Sequence, residues 1–421
     1  MRVLKLMIAG LAVLLALTAT ACSSSSSSTG GGSAPAASST SAGTGSASTG
    51  AASPAAASGS DITIAVLCSC SGPFGQFVAP MVNVAQAWVD AANATGGIDG
   101  HQVKLISFND GGEAGTALTQ AQSAVNDKVD AILDASPLDS AWEKVVDTAK
   151  IPVVGGELNS SLYATDPNYY PSGQTPDSNG YSLVEVAKDA GAKTIGEIYC
   201  VEAPSCASLV APIPQIGQSL GVPSVFKGSI AATAPNYTAQ CIAAKSAGAQ
   251  SMAVADVSSA IVKLGTDCNQ QDYDPIYVTG GTGYAPSMAA APGVQKNLWS
   301  AYPTLPYFST AAPVKQMQQT VEKYYPGLQS GDSWSQVAVQ AWTGMLLIQA
   351  AVKAAGSGPI SAASITTGLN SLKNETLDGW SPPITFTAGQ PHKVDCWFTA
   401  DLKDGTPQVA DGGKYSCMPA S

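Results

Sequence analysis

Histidine and charge are scarce in this chain. Its 421 residues include two histidines, His101 and His392, and only 12% are charged. A Ser–His–acid hydrolase would have to use one of these imidazoles. His101 follows a Gly-Gly turn and His392 lies in a proline-containing loop, positions that suit surface residues better than catalysts. His-Glu-x-x-His and the phosphate-cradling Gly-x-x-x-x-Gly-Lys loop are absent. Gly280-Gly281-Thr282-Gly283 lacks the spacing of a nucleotide fingerprint. Lysine and arginine form no cluster, and the net charge is −11. Nucleic acid is therefore excluded as a partner, because phosphates require concentrated cations. These absences predict a protein without catalysis, cofactor or metal.

What is present begins with a leader. Met1–Ala21 has a basic start, an apolar stretch from Leu6 to Leu17, and small residues before Cys22. This pattern is a secretory signal, too short for a mature membrane span. Ala19-Thr20-Ala21-Cys22 resembles a lipobox, which would make Cys22 the lipidated residue of a segment 1–22; ordinary cleavage near Ala21 is the alternative. Residues 23–60 are Ser, Ala, Gly, Thr and a few Pro, without an aromatic, charged or large aliphatic side chain. Such a stretch has nothing to offset the entropy of ordering and is predicted to be a disordered linker. Its r.m.s. reach is roughly 35 Å.

The remainder, Asp61–Ser421, is too long for one ordinary domain and fits two. It opens with an apolar run, Ile62–Leu67, then a turn-forming segment, Cys68–Phe77, then a helical stripe: Val78, Met81, Val82, Ala85, Trp88, Val89 and Ala92. Gly96-Gly97 stops that helix, and a second strand spans Val103–Phe108. Strand–helix alternation continues to Val154, and resumes from Tyr181 to Thr279. Repeated alternation predicts doubly wound α/β lobes with parallel sheets. Two stretches break the pattern and read as crossings between lobes: Tyr163–Asn179 and Trp299–Phe308. Ser333–Gly356 is the most apolar helix, but Gln336, Gln340, Gly344 and Gln349 interrupt it, which favours a buried helix over a membrane span. Strands are expected at Ile384–Thr387, Asp395–Ala400 and Gln408–Ala410.

The first unit carries a resemblance. Strand, Ser71-Gly72-Pro73, amphipathic helix, Asn93-Ala94-x-Gly96-Gly97-Ile98-x-Gly100, strand and Asp110 look like the start of the leucine/isoleucine/valine-binding proteins. These are the type 1 periplasmic-binding-protein family, the solute receptors of ABC importers, and the resemblance covers about Asp61 to Met418. It implies lobe 1 from 61–175 and 307–380, lobe 2 from 176–306 and 381–421, and a three-segment hinge whose last crossing lies near Trp380–Pro383. It also implies solute contacts by position. Phe77 follows the first strand. Ser136, Leu138, Asp139 and Ser140 form a loop whose hydroxyls and amides would hold a solute carboxylate, or whose serines would merely cap the next helix. Glu157-Leu158-Asn159 puts a carboxylate where relatives often have Ala-x-Thr. In lobe 2, relatives have aromatics where this chain has Glu202-Ala203-Pro204-Ser205 and Asp256-Val257-Ser258-Ser259. They have an acidic residue, which grips the amino group, where this chain has Gly280–Tyr284. The amino-acid pocket is therefore not reproduced. Glu157 and Asp256 are the expected polar anchors, with Asn159, Ser205, Ser258 and Thr282 beside them. Tyr284 or Trp299 would be a stacking wall or plain packing.

Setting Cys22 aside leaves eight cysteines, an even number in an exported chain, which points to disulfides. Close spacing suggests Cys200–Cys206, Cys396–Cys417 and Cys241–Cys268, and leaves Cys68–Cys70 by elimination; two free thiols or other partners are alternatives, and Cys-x-Cys without histidine is a weak zinc signal. The expected protein is a monomeric, lipid-anchored extracytoplasmic receptor that delivers a small polar organic solute to ABC permease subunits. Amino acids, amides, ureas and aromatic acids are the candidate solutes. A ligand-sensing module for a membrane signalling partner is the alternative, and a cell-surface hydrolase the more distant one.

Overall fold

The computed structural model describes residues 59–156, 159–202 and 204–419, without the side chains of Pro204, Ser205 and Thr282. The leader, Cys22, most of the linker, and Glu157 lie outside the described residues. The first part of the chain alternates β1 (Ile62–Cys68), α1 (Gly75–Ala94), β2 (Val103–Asn109), α2 (Ala114–Asn126), β3 (Ala131–Ala135), α3 (Glu143–Ala149), β4 (Val153–Val154), α4 (Leu162–Thr165) and β5 (Tyr169–Tyr170). The second part contains α5 (Asn179–Asp189), β6 (Ile195–Cys200), α6 (Pro204–Val210), α7 (Ile213–Leu220), β7 (Ser224–Ile230), α8 (Thr238–Ser246), β8 (Ser251–Ala255), α9 (Ser258–Asn269), β9 (Ile276–Gly280) and β10 (Leu298–Tyr302). Then follow α10 (Ala312–Tyr324), α11 (Gln336–Ala355), α12 (Ala362–Ser371), β11 (Cys396–Lys403), β12 (Thr406–Val409) and β13 (Tyr415–Cys417).

Two sheets result, one in each lobe. The first runs β2-β1-β3-β4-β5, all parallel. Its strands are buried on both faces, as crossover helices require. Ile62, Ile64 and Val66 face the core that holds α1 and α11, while Ala65 and Leu67 face α2 and α3. The second runs β12-β11-β10-β9-β8-β6-β7, with β13 beside β11. Its strands from β7 to β10 are parallel, and β11 turns antiparallel against β10. Gly96 and Gly97 take φ of 103° and 82° past the end of α1, the left-handed region that terminates a helix.

Three extended segments cross between the sheets and hydrogen-bond to one another. Gln174 N donates to Pro303 O (3.0 Å), Leu305 N to Trp380 O (2.7 Å) and Thr175 N to Val394 O (3.0 Å). Gly173 is required here, since a Cβ would lie 2.3 Å from Pro303 O. Helix α11 is long and apolar enough to cross a membrane, but 72% of its apolar window is buried in the core. Its polar residues hold the crossings: Gln336 Nε2 donates to Thr304 Oγ1 (2.7 Å), Gln336 Oε1 accepts from Tyr307 N (3.1 Å), and Thr343 bonds Ser172 (3.0 Å).

Some expectations need correction. His392 is not a surface residue. It is 2% exposed, stacked 4.5 Å from Tyr170 and tilted against Phe386 at 4.7 Å, and burial lowers its pKa to about 4. The aperiodic stretches hide β5 and β10, whose pairing comes from neighbouring strands rather than from their own pattern. Ile384–Thr387 is no strand; Ile384 makes one isolated bridge to Glu375. Disulfides join Cys68–Cys70, Cys200–Cys206, Cys241–Cys268 and Cys396–Cys417.

Candidate functional site

In parallel α/β sheets, ligands sit beyond the carboxyl ends of the strands. In lobe 1 those ends are β1, β2 and β3, and their loops are tied by one buried network. Ser136 Oγ donates to Asp110 Oδ2 (2.6 Å), lies 3.3 Å from Ser69 Oγ, and accepts from Leu138 N (3.2 Å). Asp110 Oδ1 accepts from Gly112 N (2.7 Å). Ser69, Asp110 and Ser136 are all buried. The Ser136 hydroxyl, assigned by resemblance to a solute carboxylate, is thus engaged inside the lobe. Asp139 is also buried, and burial, opposed by a hydrogen bond from Ser160, pushes its carboxyl to about 6. Phe77 and Leu138 are half-buried, while Ser140 and Asn159 are exposed on the same end of the sheet.

Lobe 2 is built differently. Asp256 follows β8, and its Oδ1 accepts from Val257 N (2.7 Å). Its Oδ2 is shut off from solvent and has no hydrogen-bond partner. Burial pushes this carboxyl to about 6, and the charge of Glu202 adds to the rise. Glu202 follows β6 and accepts from Ala232 N (2.7 Å) through Oε1. The Cys200–Cys206 bond closes the loop that carries it. Ser258 opens α9, half-buried. Ser205 and Thr282 fall on α6 and on the turn after β9.

Tyr284 is 5% exposed and packs against Tyr307 (6.2 Å) and Phe308 (5.5 Å), an aromatic cluster at the second crossing. Burial raises its hydroxyl to about 12. Trp299 packs with the α5 side of the second sheet. The structure therefore brings Asp256 and Ser258 together at one lobe's strand ends and Phe77, Ser140 and Asn159 at the other's, with Tyr284 withdrawn into packing. Sequence reasoning gave Asp110 no site role, and passed over Ser69 and the like charge of Glu202 acting on Asp256. Their signal is position: each lies within two residues of a strand's end.

Two other features lie off this cleft. A cavity of about 610 Å³ is lined by Leu305, Phe308, Ala311, Asp378, Pro407 and Gly413, among others. The strand order puts it on the β11–β12 side of the crossings, whereas β8 and β6 lie on the opposite side of β10. Carboxylate oxygens of Glu143, Asp147 and Asp166 lie within 4.8 Å of one another. Asp166 precedes β5, so this cluster sits at the amino end of the sheet, away from the cleft.

The family assignment follows from both chain and fold. The family description "Periplasmic binding protein" matches residues 61–407. The chain belongs to this family, the type 1, leucine/isoleucine/valine-binding-protein-like receptors, which bind solutes without transforming them. Solved structures share the fold. An extracellular ligand-binding receptor from Verminephrobacter eiseniae superposes with TM-score 0.70 at 17% identity, covering 83% of this chain and 99% of its own. A fatty acid ABC transporter substrate-binding protein from Thermomonospora curvata gives 0.67 at 16% identity, covering 85% and 93%. A substrate-binding periplasmic protein from Ralstonia solanacearum gives 0.68 at 15%, covering 83% and 100%. No curated protein matches the chain in sequence.

Proposed function

We propose that the protein is a lipid-anchored extracytoplasmic receptor that delivers a small polar organic solute to the permease subunits of an ABC importer. Its lobes, 61–175 with 307–380 and 176–306 with 381–421, close on the solute. One observation carries this reading: three crossings between two α/β sheets hydrogen-bond to one another, as the connecting segments of a hinge would. Bending at such crossings swings one lobe against the other. Closure requires a solute that binds the closed state more tightly than the open one. A micromolar solute supplies about 8 kcal/mol in all, part of which drives the motion.

Phe77, Ser140, Asn159, Asp256 and Ser258 are the proposed contacts, with Glu157, Ser205 and Thr282 completing the set. Cys22 is the proposed anchor, and a linker reaching roughly 35 Å lets the receptor turn above its permease. The test is a thermal-shift screen of amino acids, amides, ureas, amines and aromatic acids. A ligand at a hundred times its Kd should add about 2.7 kcal/mol. The best hit should also make the protein more compact in solution scattering and be recovered unchanged. Cys22→Ser should move the protein out of the membrane fraction; its retention there would overturn the anchor.

A further inference from the structure

The loops that follow each strand carry charge of one sign. After the strands of lobe 1 come Asp110, Glu113, Asp139 and, by sequence, Glu157; after those of lobe 2 come Glu202 and Asp256. No lysine, arginine or histidine occurs in residues 68–77, 110–113, 136–142, 155–161, 201–206, 231–237, 256–257, 281–291 or 303–311. The chain's one arginine is Arg2. Lys263, on the second turn of α9, donates to Ala234 O and sits 4.8 Å over the Tyr237 ring. A carboxylate solute entering this cleft would find like charges and no counter-ion, and its usual serine partner, Ser136, is already held by Asp110. Like-charge placement of this kind is how a site rejects a competitor.

The same loops expose apolar surface. Phe74 in lobe 1, and Val201 and Val257 in lobe 2, are 38%, 57% and 40% exposed. They are three of the seven large apolar side chains that stand exposed among the described residues. Val201 and Val257 flank the two lobe 2 carboxylates, one immediately before Glu202 and the other immediately after Asp256.

We propose that the solute is a cationic amine with an apolar body and no carboxylate. Its ammonium group sits on Asp256 and Glu202, and its carbon skeleton lies against Val201, Val257 and Phe74. An ammonium donates to the Asp256 oxygen that lacks a partner, which removes the cost of a buried, unpaired acceptor. A free amino acid would bring its carboxylate against lobe 1, where Asp110 stands behind Ser136 and nothing opposes the charge. This assignment rests on the reading of the cleft as the solute site.

The test uses three compounds on one carbon skeleton: isoamylamine, leucine and 4-methylpentanoate, titrated calorimetrically into the full-length protein. Isoamylamine should bind at least tenfold more tightly than either of the others. Asp256→Asn and Glu202→Gln should each weaken it tenfold or more while leaving the melting temperature of the free protein within a few degrees. Rescue of part of the affinity by Asp256→Glu would distinguish charge from shape. Leucine or 4-methylpentanoate binding as tightly as isoamylamine would overturn the charge assignment and leave the receptor reading standing. Failure of isoamylamine, phenethylamine and cadaverine alike to bind would overturn it too. Amine binding without any compaction in scattering would instead overturn closure, and leave the charge assignment standing.

Discussion

At the carboxyl end of the first sheet, Asp110 accepts from Ser136 and Gly112, and the side chains of Ser69, Asp110 and Ser136 are all buried. At the carboxyl end of the second, Asp256 leaves one oxygen unpartnered, and Val201 and Val257 stand exposed beside it. Both ends place carboxylates within two residues of a strand, yet one carboxylate completes its own lobe and the other is incomplete without something added. Lobe 2 is also the more heavily cross-linked, with Cys200–Cys206, Cys241–Cys268 and Cys396–Cys417 against Cys68–Cys70 alone in lobe 1. Three disulfides cross-link lobe 2, whereas the strand-end loops of lobe 1 are joined by hydrogen bonds.

The largest effect expected from this contrast is on stability. Replacing Cys241 and Cys268 by Ala opens a loop with a sequence separation of 27 and should cost about 3–4 kcal/mol in urea unfolding. The Cys200–Cys206 separation is 6, and its loss should cost about 2 kcal/mol. Equal costs would show that loop length does not govern the rigidity of lobe 2. Next comes Asp110→Ala, which strands the Ser136 hydroxyl and the Gly112 amide without their acceptor. A loss of about 2–3 kcal/mol is expected. A loss below about 0.5 kcal/mol would mean that the network does not hold lobe 1 together.

The third effect is a pH dependence at the hinge. His392 is held neutral, with a pKa lowered to about 4 by burial, against an unfolded value near 6.5. Its contribution is complete above the unfolded pKa and is lost as pH falls from about 6.5 to 4, because only the unfolded chain takes up the proton. After allowance for screening, about 2 kcal/mol should be lost over that interval. His392→Phe should flatten this part of the stability profile, and an unchanged profile would locate the loss elsewhere. Asp256 titrates with the opposite sign. Its folded pKa is raised to about 6, so its charged form opposes folding above that value and the cost eases as pH falls toward 3.8. The smallest effect follows: Asp256→Asn should leave the stability of the free protein at neutral pH unchanged or slightly higher, while Asp110→Asn should lower it. The same sign for both would erase the distinction between the lobes.

Much of this was legible in the sequence, because alternation of apolar runs and stripes fixes parallel α/β lobes wherever strands are long. Ile62–Cys68 and Ser251–Ala255 announce themselves as apolar runs. Tyr169–Tyr170 does not, since a two-residue strand has no period and exists only through its pairing with Val153 and Val154. His392 was misread for a similar reason: a proline-containing loop looks exposed until Tyr170 and Phe386 are seen to enclose the ring. At the site, Asp256 was legible as a carboxylate after a strand. The engagement of Ser136 by Asp110 was not, because 26 residues separate the partners and only the parallel register brings them together.

Solution scattering on the full chain, with and without saturating solute, tests the central claim most directly. A smaller radius of gyration is expected with at least one compound of the screened panel, and recovery of that compound intact. A curve that stays unchanged with every compound bound, or turnover of any of them, would contradict it.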